Sequence, residues 1–196
     1  MTCAILLPAA GASRRMRGGD KLLEPVQGRA VLRLMAERAC SVALHVAITL
    51  RPDDADRHAA VAGLPLTLLE VPDASEGMAA SLRAGAVWAM GLPVEALMIA
   101  LPDMPDITAG DMRALIADHA HHPAQPLRAS DLARHAGHPT ILPRNLFPEM
   151  LRLSGDTGAR NLLRTHPSRL YPLPGSRALD DLDTPEDWAK WRAGQV

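Results

Sequence analysis

The sequence predicts an α/β protein with three α/β/α layers, in which helices cover both faces of a mostly parallel sheet. Short apolar runs alternate with segments whose apolar residues recur at helical spacing. This strand–helix alternation is typical of parallel strands that are joined by right-handed crossovers. The apolar runs lack a polar face, which is expected for strands that are covered on both sides.

The predicted elements follow one another without a long linker or an internal repeat. Strands are expected at residues 4–7, 45–50, 66–71 and 96–101, and then at 139–142 and 170–173. Helices are expected at 30–42, 52–62, 78–90, 109–119, 145–153, 158–166 and 184–192. The polar segment 121–134 contains Pro123 and Pro126 and predicts a weak strand plus a loop.

Composition argues against a nucleic-acid partner. The formal net charge is −1, so no basic excess is present to hold a phosphate backbone. Aromatic residues make up 3% of the chain, with one Phe and one Tyr, which disfavours a base-stacking surface. The shares of hydrophobic residues, 47%, and charged residues, 22%, are ordinary for a globular protein.

The cysteine content and the N-terminus predict a cytoplasmic protein. Cys3 lies in an apolar run and Cys40 near the end of a predicted helix, so both are expected to be reduced thiols. The apolar run 3–10 is too short for a signal peptide or a membrane span. No membrane association is therefore expected.

The segment 8–21 follows the first predicted strand directly, where open parallel sheets bind ligands. Its small residues allow backbone amides to approach an anion closely. Its basic residues, which suit phosphate oxygens, are Arg14, Arg15, Arg17 and Lys21. The segment is neither a P-loop nor a dinucleotide fingerprint. An anion-binding loop is favoured over a flexible basic surface loop, mainly by its position.

Two acidic segments could hold a metal. Asp103 ends the fourth strand at the same sheet edge as the loop, where a carboxylate can hold Mg²⁺, but it could also close a turn. Asp180, Asp181 and Asp183 repel one another unless a cation is near. A solvated acidic turn before the last helix is the alternative there.

Three further segments combine glycine with polar residues. The segment 76–82 opens a predicted helix, whose N-terminal amides suit a nucleotide; simple capping by Ser75, with Met78 and Leu82 in the core, is the alternative. Residues 137–139 and 154–160 could be substrate loops or ordinary turns. Spacing alone leaves these alternatives open.

Taken in order, these segments resemble the nucleotidyltransferase family that contains the molybdenum cofactor cytidylyltransferases and guanylyltransferases. The family patterns AAGxSxRMGxxK, EGMxxSL, DMP, GHP, SGDxGAR and DxDTPED match residues 9–21, 76–82, 103–105, 137–139, 154–160 and 181–187. One departure is visible, because Arg17 separates Met16 from Gly18 and lengthens the loop by one residue. The resemblance spans nearly the whole chain.

The resemblance implies a Rossmann-like sheet of the nucleotide-diphospho-sugar transferase type. It implies one domain, 1–196, with a nucleotide-binding half at 1–107 and an acceptor-binding half at 108–196. The implied reaction moves CMP from CTP to the molybdopterin form of the molybdenum cofactor, with Mg²⁺ as cofactor and Mn²⁺ as the alternative. Ala10 favours CTP over GTP, because the guanylyl-transferring branch has glycine there.

The resemblance also assigns residues to roles. Lys21, Arg15 and Asp103 are implied to be catalytic. The nucleotide-binding residues are implied to be Ala9, Ala10, Gly11, Ser13, Arg14, Lys21, Glu76, Gly77 and Ser81. The acceptor-binding residues are implied to be Gly137, His138, Asp156, Gly158 and Arg160. Asp103 and Asp181 are the implied metal ligands, with Asp183 as the reserve.

Partners and rival functions follow from the same resemblance. We expect a monomer that binds CTP or GTP and a molybdopterin-type phosphate acceptor, and that delivers its product to a recipient molybdoenzyme. A sugar phosphate or alditol phosphate acceptor is the nearest alternative. A non-catalytic nucleotide-binding regulator or chaperone of a molybdoenzyme is the alternative of another class.

Overall fold

A computed structural model describes residues 2–155 and 158–194. The strands are β1 (Cys3–Pro8), β2 (Pro25–Val26), β3 (Arg29–Ala30), β4 (Val46–Leu50), β5 (Thr67–Glu70), β6 (Ala96–Ile99), β7 (Leu127–Ser130), β8 (Ala136–Pro143) and β9 (Arg169–Pro172). The helices are α1 (Val31–Cys40), α2 (Ala55–Val61), α3 (Met78–Met90), α4 (Ala109–His119), α5 (Phe147–Met150), α6 (Arg160–Thr165) and α7 (Pro185–Ala193). Short 3₁₀ turns lie at Arg14–Met16, Ala74–Glu76 and Arg144–Leu146.

The main sheet has seven strands in the order β5-β4-β1-β6-β8-β7-β9. Strands β1, β4, β5 and β6 are parallel, β8 is antiparallel to β6 and β7, and β9 is parallel to β7. The predicted α/β fold with a mostly parallel, Rossmann-like sheet is confirmed. Every strand of the sheet except β8 therefore ends at one edge, and this edge carries the candidate site.

Side chains alternate between two buried layers because successive residues of a strand point to opposite faces. In β1, Ile5 and Leu7 pack into the layer that contains α1 and α4, and Leu6 packs into the layer of α3 and α5. All six residues of β1 are buried. The central strand is thus covered on both faces, and the loop that follows it starts from a rigid base.

Several elements differ from the sequence prediction at their ends. The predicted helix 30–42 begins at Val31, after the small hairpin formed by β2 and β3. The predicted helix 52–62 begins at Ala55, because the Asp54 side chain accepts a hydrogen bond from the Arg57 amide and caps the helix there. The predicted helix 145–153 is shorter, a 3₁₀ turn followed by α5.

Two expectations about local structure are confirmed. The weak strand expected within 121–134 is β7, and it pairs with both β8 and β9. The closing helix expected at 184–192 is α7, and it begins with a capping box in which the Thr184 side chain accepts from the Asp187 amide. This cap fixes the chain immediately after Asp183.

No helix in residues 2–155 and 158–194 combines the length and the apolar character that crossing a bilayer requires. Cys3 and Cys40 are both free thiols. Burial raises the pKa of the Cys3 thiol to about 12, so this residue is packed as an apolar group of β1.

Candidate functional site

The N-terminal loop, residues 9–21, leaves β1 at the carboxyl edge of the sheet. Its 3₁₀ turn is flanked by Ser13 and Arg17, both in left-handed conformation with φ of 47° and 52°. The side chain of Arg17, the extra residue of the sequence motif, donates to Glu186 of α7. The side chain of the additional residue is therefore directed toward α7.

Lys21 closes this loop and joins two carboxylates from distant parts of the chain. Its Nζ donates to Asp103 after β6, and to Asp183 Oδ1 before α7 at 2.6 Å. Arg15 Nη1 lies 2.7 Å from Asp183 Oδ2. Burial would lower the pKa of Lys21, but Asp103 and Asp183 outweigh it and raise that pKa. Lys21 is therefore a charged ammonium at neutral pH.

The carboxylates differ in how their oxygens are used. Asp103 is 6% exposed, and among the described residues its buried Oδ1 has no hydrogen-bond partner. Asp183 uses one oxygen for Lys21 and the other for Arg15. Within the described chain, Asp181 forms no ion pair; partial burial, and then the charges of Asp183 and Asp103, raise its pKa. Beside Lys21, the unpartnered oxygen of Asp103 and the side chain of Asp181 are the carboxylate groups that remain for a second cation.

A cavity of about 670 Å³ opens beside this cluster, within the range that small ligands occupy. Its wall is formed by Ala10, Gly11, Ala12, Ser13, Arg14, Arg15, Lys21, Arg51, Pro52, Asp53, Pro72, Ala74, Ser75, Gly77, Met78, Ser81 and Asp183. Apart from Asp183, which precedes α7, these residues follow β1, β4 and β5 or open α3, so the cavity lies at the carboxyl ends of parallel strands. Cations dominate the side near the loop.

Two residues of the predicted nucleotide set stand apart from this wall. The Glu76 carboxylate accepts from Arg83 Nη2 at 2.7 Å, which turns it toward the surface of α3. Ala9 is 1% exposed, and its carbonyl accepts from Arg57. The other predicted nucleotide-binding residues all line the cavity.

The acceptor side begins at β8. A Cβ added to Gly137 would lie 1.8 Å from the Ala178 carbonyl oxygen, so close packing alone requires glycine there. Burial, and then the charge of Arg128, lower the pKa of His138 to about 4, while Asp103 acts in the opposite direction. His138 is therefore a neutral imidazole near Asp103 at neutral pH.

Two further predicted acceptor residues lie near the same region. Gly158 has a φ of 54°, and a Cβ added to it would lie 3.3 Å from Cγ of Met78 in the cavity wall. Arg160 is exposed, and its charge, after burial, lowers the pKa of Arg128. Asp156 lies outside the described residues. Arg128 and Arg160 place two positive charges on the acceptor side.

The carboxylates fit a divalent metal that is shared with a substrate. In the ranges that the structure describes, no group of three or more His, Cys, Asp or Glu side chains could hold a metal ion alone. Mg²⁺ is commonly held by one or two carboxylates together with substrate phosphates and water. Asp103, whose buried Oδ1 lacks a hydrogen-bond partner among the described residues, and Asp181 or Asp183 could supply such a set.

Three arginines of this region, Arg51 of the cavity wall, Arg57 and Arg128, were not identified from the sequence. Arg57 lies in the predicted helix 52–62, yet it is 1% exposed and donates to the carbonyl of Gly11 in the N-terminal loop. Arg128 lies in the least readable segment and donates from Nε to the Gly137 carbonyl at 3.2 Å. None of the three belongs to a motif, so only the pairing of distant segments identifies them.

Comparison with known proteins identifies a family and two similar proteins. A family model described as a MobA-like NTP transferase domain matches residues 4–170. The purine catabolism protein PucB of Bacillus subtilis (strain 168) is 29% identical, and the match covers 92% of this chain and 91% of PucB. The nicotine blue oxidoreductase of Paenarthrobacter nicotinovorans is 30% identical, and 92% of each chain is covered.

Several solved structures superpose on nearly the whole chain. Rv0371c from Mycobacterium tuberculosis H37Rv superposes with a TM-score of 0.81 at 28% identity, and 97% of each chain is covered. The same protein in complex with manganese gives a TM-score of 0.78 at 26% identity, also with 97% of each chain covered. Molybdopterin-guanine dinucleotide biosynthesis protein A from Archaeoglobus fulgidus, at 15% identity and a TM-score of 0.71, covers 100% of each chain and shares the fold.

Proposed function

Since the chain belongs to the MobA-like NTP transferase family, we propose that it transfers CMP from CTP to the molybdopterin form of the molybdenum cofactor and releases pyrophosphate. One observation carries the proposal. Lys21, Asp103 and Asp183 converge beside a cavity at the carboxyl edge of the sheet. Such an arrangement places cations and carboxylates where a triphosphate and its metal would bind.

In this reaction the protein would position the two substrates and neutralise charge, and it would form no covalent bond with either substrate. A phosphate oxygen of the acceptor attacks the α-phosphorus of CTP, and the bond from that phosphorus to the bridging oxygen of pyrophosphate breaks. Negative charge grows on the phosphoryl oxygens and on the leaving group. Lys21 and Arg15, which both reach Asp183, are the cations closest to this cluster. They would neutralise that charge in a site formed before substrate arrives.

We propose Mg²⁺ as the metal, with Mn²⁺ as the alternative. Asp103 and Asp181 would hold it, with Asp183 in reserve, and the metal would neutralise charge on the triphosphate oxygens. The free Oδ1 of Asp103 and the absence of an ion pair at Asp181 within the described chain support this choice. A related protein of 26% identity was crystallised with manganese, which supports a divalent cation.

The preference for CTP rests on Ala10. This residue is 3% exposed and lines the cavity next to Gly11. We propose that its methyl group, compared with glycine, would narrow the space beside the base, which would suit a pyrimidine better than a purine. GTP as the donor is the alternative.

The acceptor is proposed to enter from the side of β8. The neutral His138 can exchange hydrogen bonds without bringing a charge, and Arg128 and Arg160 suit an acceptor phosphate. Gly158, beside Met78, would border the same space. Molybdopterin is the proposed acceptor and a molybdoenzyme the proposed recipient, with a sugar or alditol phosphate as the alternative acceptor.

Pyrophosphate exchange tests the donor assignment. Labelled pyrophosphate, Mg²⁺, molybdopterin as the acceptor and each nucleoside triphosphate are incubated with the protein, and label that enters the triphosphate by reversal of the transfer is measured. We expect exchange with CTP. Exchange with GTP but not CTP would contradict the base assignment, and redox turnover of nicotine blue without any exchange would instead favour the activity that the name of one relative gives.

Carboxylate variants test the metal assignment. Asp103→Asn should lower kcat/KM by about 100- to 1,000-fold, because the metal that neutralises the triphosphate loses a carboxylate ligand. Asp181→Asn should raise the Mg²⁺ concentration that gives half-maximal activity. Asp180→Asn is the matched control, since Asp180 lies in the same turn and accepts from Ser176. Full magnesium-dependent turnover by Asp103→Asn would refute the assignment.

A further inference from the structure

The buried side chain of Arg57 is bonded at every donor it has. Its Nη1 donates to the carbonyls of Ala9 at 2.6 Å and Gly11 at 2.7 Å. Its Nη2 donates to Ser13 Oγ at 3.0 Å and to Asp20 Oδ1 at 2.7 Å, and its Nε donates to Asp20 Oδ2 at 2.7 Å. A guanidinium has five N–H donors, so all five point into the N-terminal loop.

These contacts fix the orientation of two peptide planes. In a trans peptide the carbonyl of one residue and the amide of the next point in opposite directions. Because the carbonyls of Ala9 and Gly11 face Arg57, the amides of Ala10 and Ala12 face away from it. Ala10 and Ala12 line the cavity, and Arg57 does not. Within the described residues, neither amide donates to another group of the chain.

Asp20 connects the two ends of the loop through the same guanidinium. Its Oδ1 also accepts from Ser13 Oγ at 3.0 Å and from the Leu22 amide at 3.0 Å. Burial would raise the pKa of Asp20, but Arg57 and the other donors outweigh it and hold that pKa low. The ion pair therefore persists at neutral pH and keeps Lys21, the next residue, in register with Ala10 and Ala12.

We propose that Arg57 is a positioning residue that presents the Ala10 and Ala12 amides to the phosphates of the nucleotide. Arg57 does not touch the ligand; it acts by holding the carbonyls on the opposite side of both peptide planes. The inference rests on the proposed nucleotidyltransferase function and adds a residue outside every motif of the family pattern.

Kinetics of Arg57→Lys and Arg57→Gln test this role in the full-length protein. We expect the KM for CTP to rise about 10- to 100-fold, since two charge-assisted hydrogen bonds to phosphate are weakened, while kcat at saturating CTP falls less. Arg57→Lys, which keeps a charge and three donors, should recover part of the affinity. A purely structural role would lower kcat through the folded fraction and leave KM unchanged, and that result would overturn the proposal.

Arg144→Lys is the matched control. Arg144 also donates to backbone carbonyls, those of Leu92 at 2.8 Å, Val94 at 2.9 Å and Met90 at 2.8 Å, but it lies outside the cavity wall. It should lower stability without changing the KM for CTP. A rise of KM equal to that of Arg57→Lys would show a general folding effect and refute the proposal.

If the Arg57 variants do not fold, the contact between the two amides and phosphate can still be tested on the protein without substitutions. Magnesium pyrophosphate is titrated into labelled protein, and amide resonances are followed. We expect the Ala10 and Ala12 amides to shift at saturation. Binding without a shift at either amide overturns the positioning role alone, whereas the absence of binding by both pyrophosphate and CTP overturns the proposed function as well.

Discussion

At the scale of single residues, two opposing effects act on the pKa of Lys21. Burial disfavours its ammonium, and the carboxylates of Asp103 and Asp183 favour it more strongly. A triphosphate entering the adjacent cavity would offer the same ammonium a new set of oxygens. The lysine is thus charged and in place before substrate binds, which suits catalysis by electrostatic preorganisation.

Gly11 allows a prediction that separates binding from folding. A Cβ added there meets no described atom within 4 Å, and its φ is not in the left-handed region. Gly11→Ala should therefore change the free energy of unfolding by less than about 1 kcal/mol. Its methyl group would enter the cavity, so the KM for CTP should rise about tenfold. Thermal unfolding and steady-state kinetics of one preparation check both values, and an unchanged KM would remove Gly11 from the nucleotide site.

At the scale of elements, the start of β8 is packed against the turn that precedes Asp181. The His138 amide donates to the Ala178 carbonyl at 2.8 Å, and Gly137 packs directly against that carbonyl. The contact aligns the acceptor side of the sheet with the segment that carries the acidic residues. A glycine that the sequence motif assigned to substrate therefore has a structural reason of its own.

Gly137→Ala tests this contact and is the counterpart of Gly11→Ala. The added Cβ would lie 1.8 Å from a backbone oxygen, so strands or turn must shift. We expect a loss of about 3 kcal/mol in the free energy of unfolding, which chemical denaturation measures. A loss as small as that of Gly11→Ala would mean that the two segments separate easily, contrary to the packing.

At the scale of the whole molecule, two histidines couple the stability of the fold to pH. Burial lowers the pKa of His138 to about 4, and burial together with Arg169 lowers that of His119. Both ring nitrogens of His119 are buried without a partner among the described residues. Each imidazole is therefore neutral in the folded state at a pH at which it would already be protonated in the unfolded chain.

The sign of the pH effect follows from linkage. The unfolded chain binds protons near pH 6.5 and folded His138 only near pH 4, so stability is full above pH 6.5 and falls as the pH drops toward 4. We expect His138→Gln to reduce this fall by on the order of 2 kcal/mol. Denaturation midpoints from pH 7.5 to 4 measure it, with exposed His121→Gln as control. An unchanged profile for His138→Gln would contradict the prediction.

The family prediction drawn from the sequence motifs is confirmed by the match over residues 4–170. The fold class could be predicted because strand and helix patterns are local, with periods of two and 3.6 residues. The common edge of parallel strands then places the N-terminal loop and Asp103 together without any structure. The antiparallel entry of β8 and the small hairpin β2–β3 were not predicted, since pairing between distant segments leaves little local signal.

The sequence by itself determined the α/β architecture, the loop after β1 and the acid at the end of β6, because each depends on residues that are neighbours along the chain. Only the tertiary structure decided that Lys21 links Asp103 to Asp183, that Arg57 holds the loop from behind, and that Gly137 packs against Ala178. These contacts join residues dozens of positions apart. Their partners are selected by burial and by the satisfaction of hydrogen-bond donors, which exist only once the sheet and its helices have assembled.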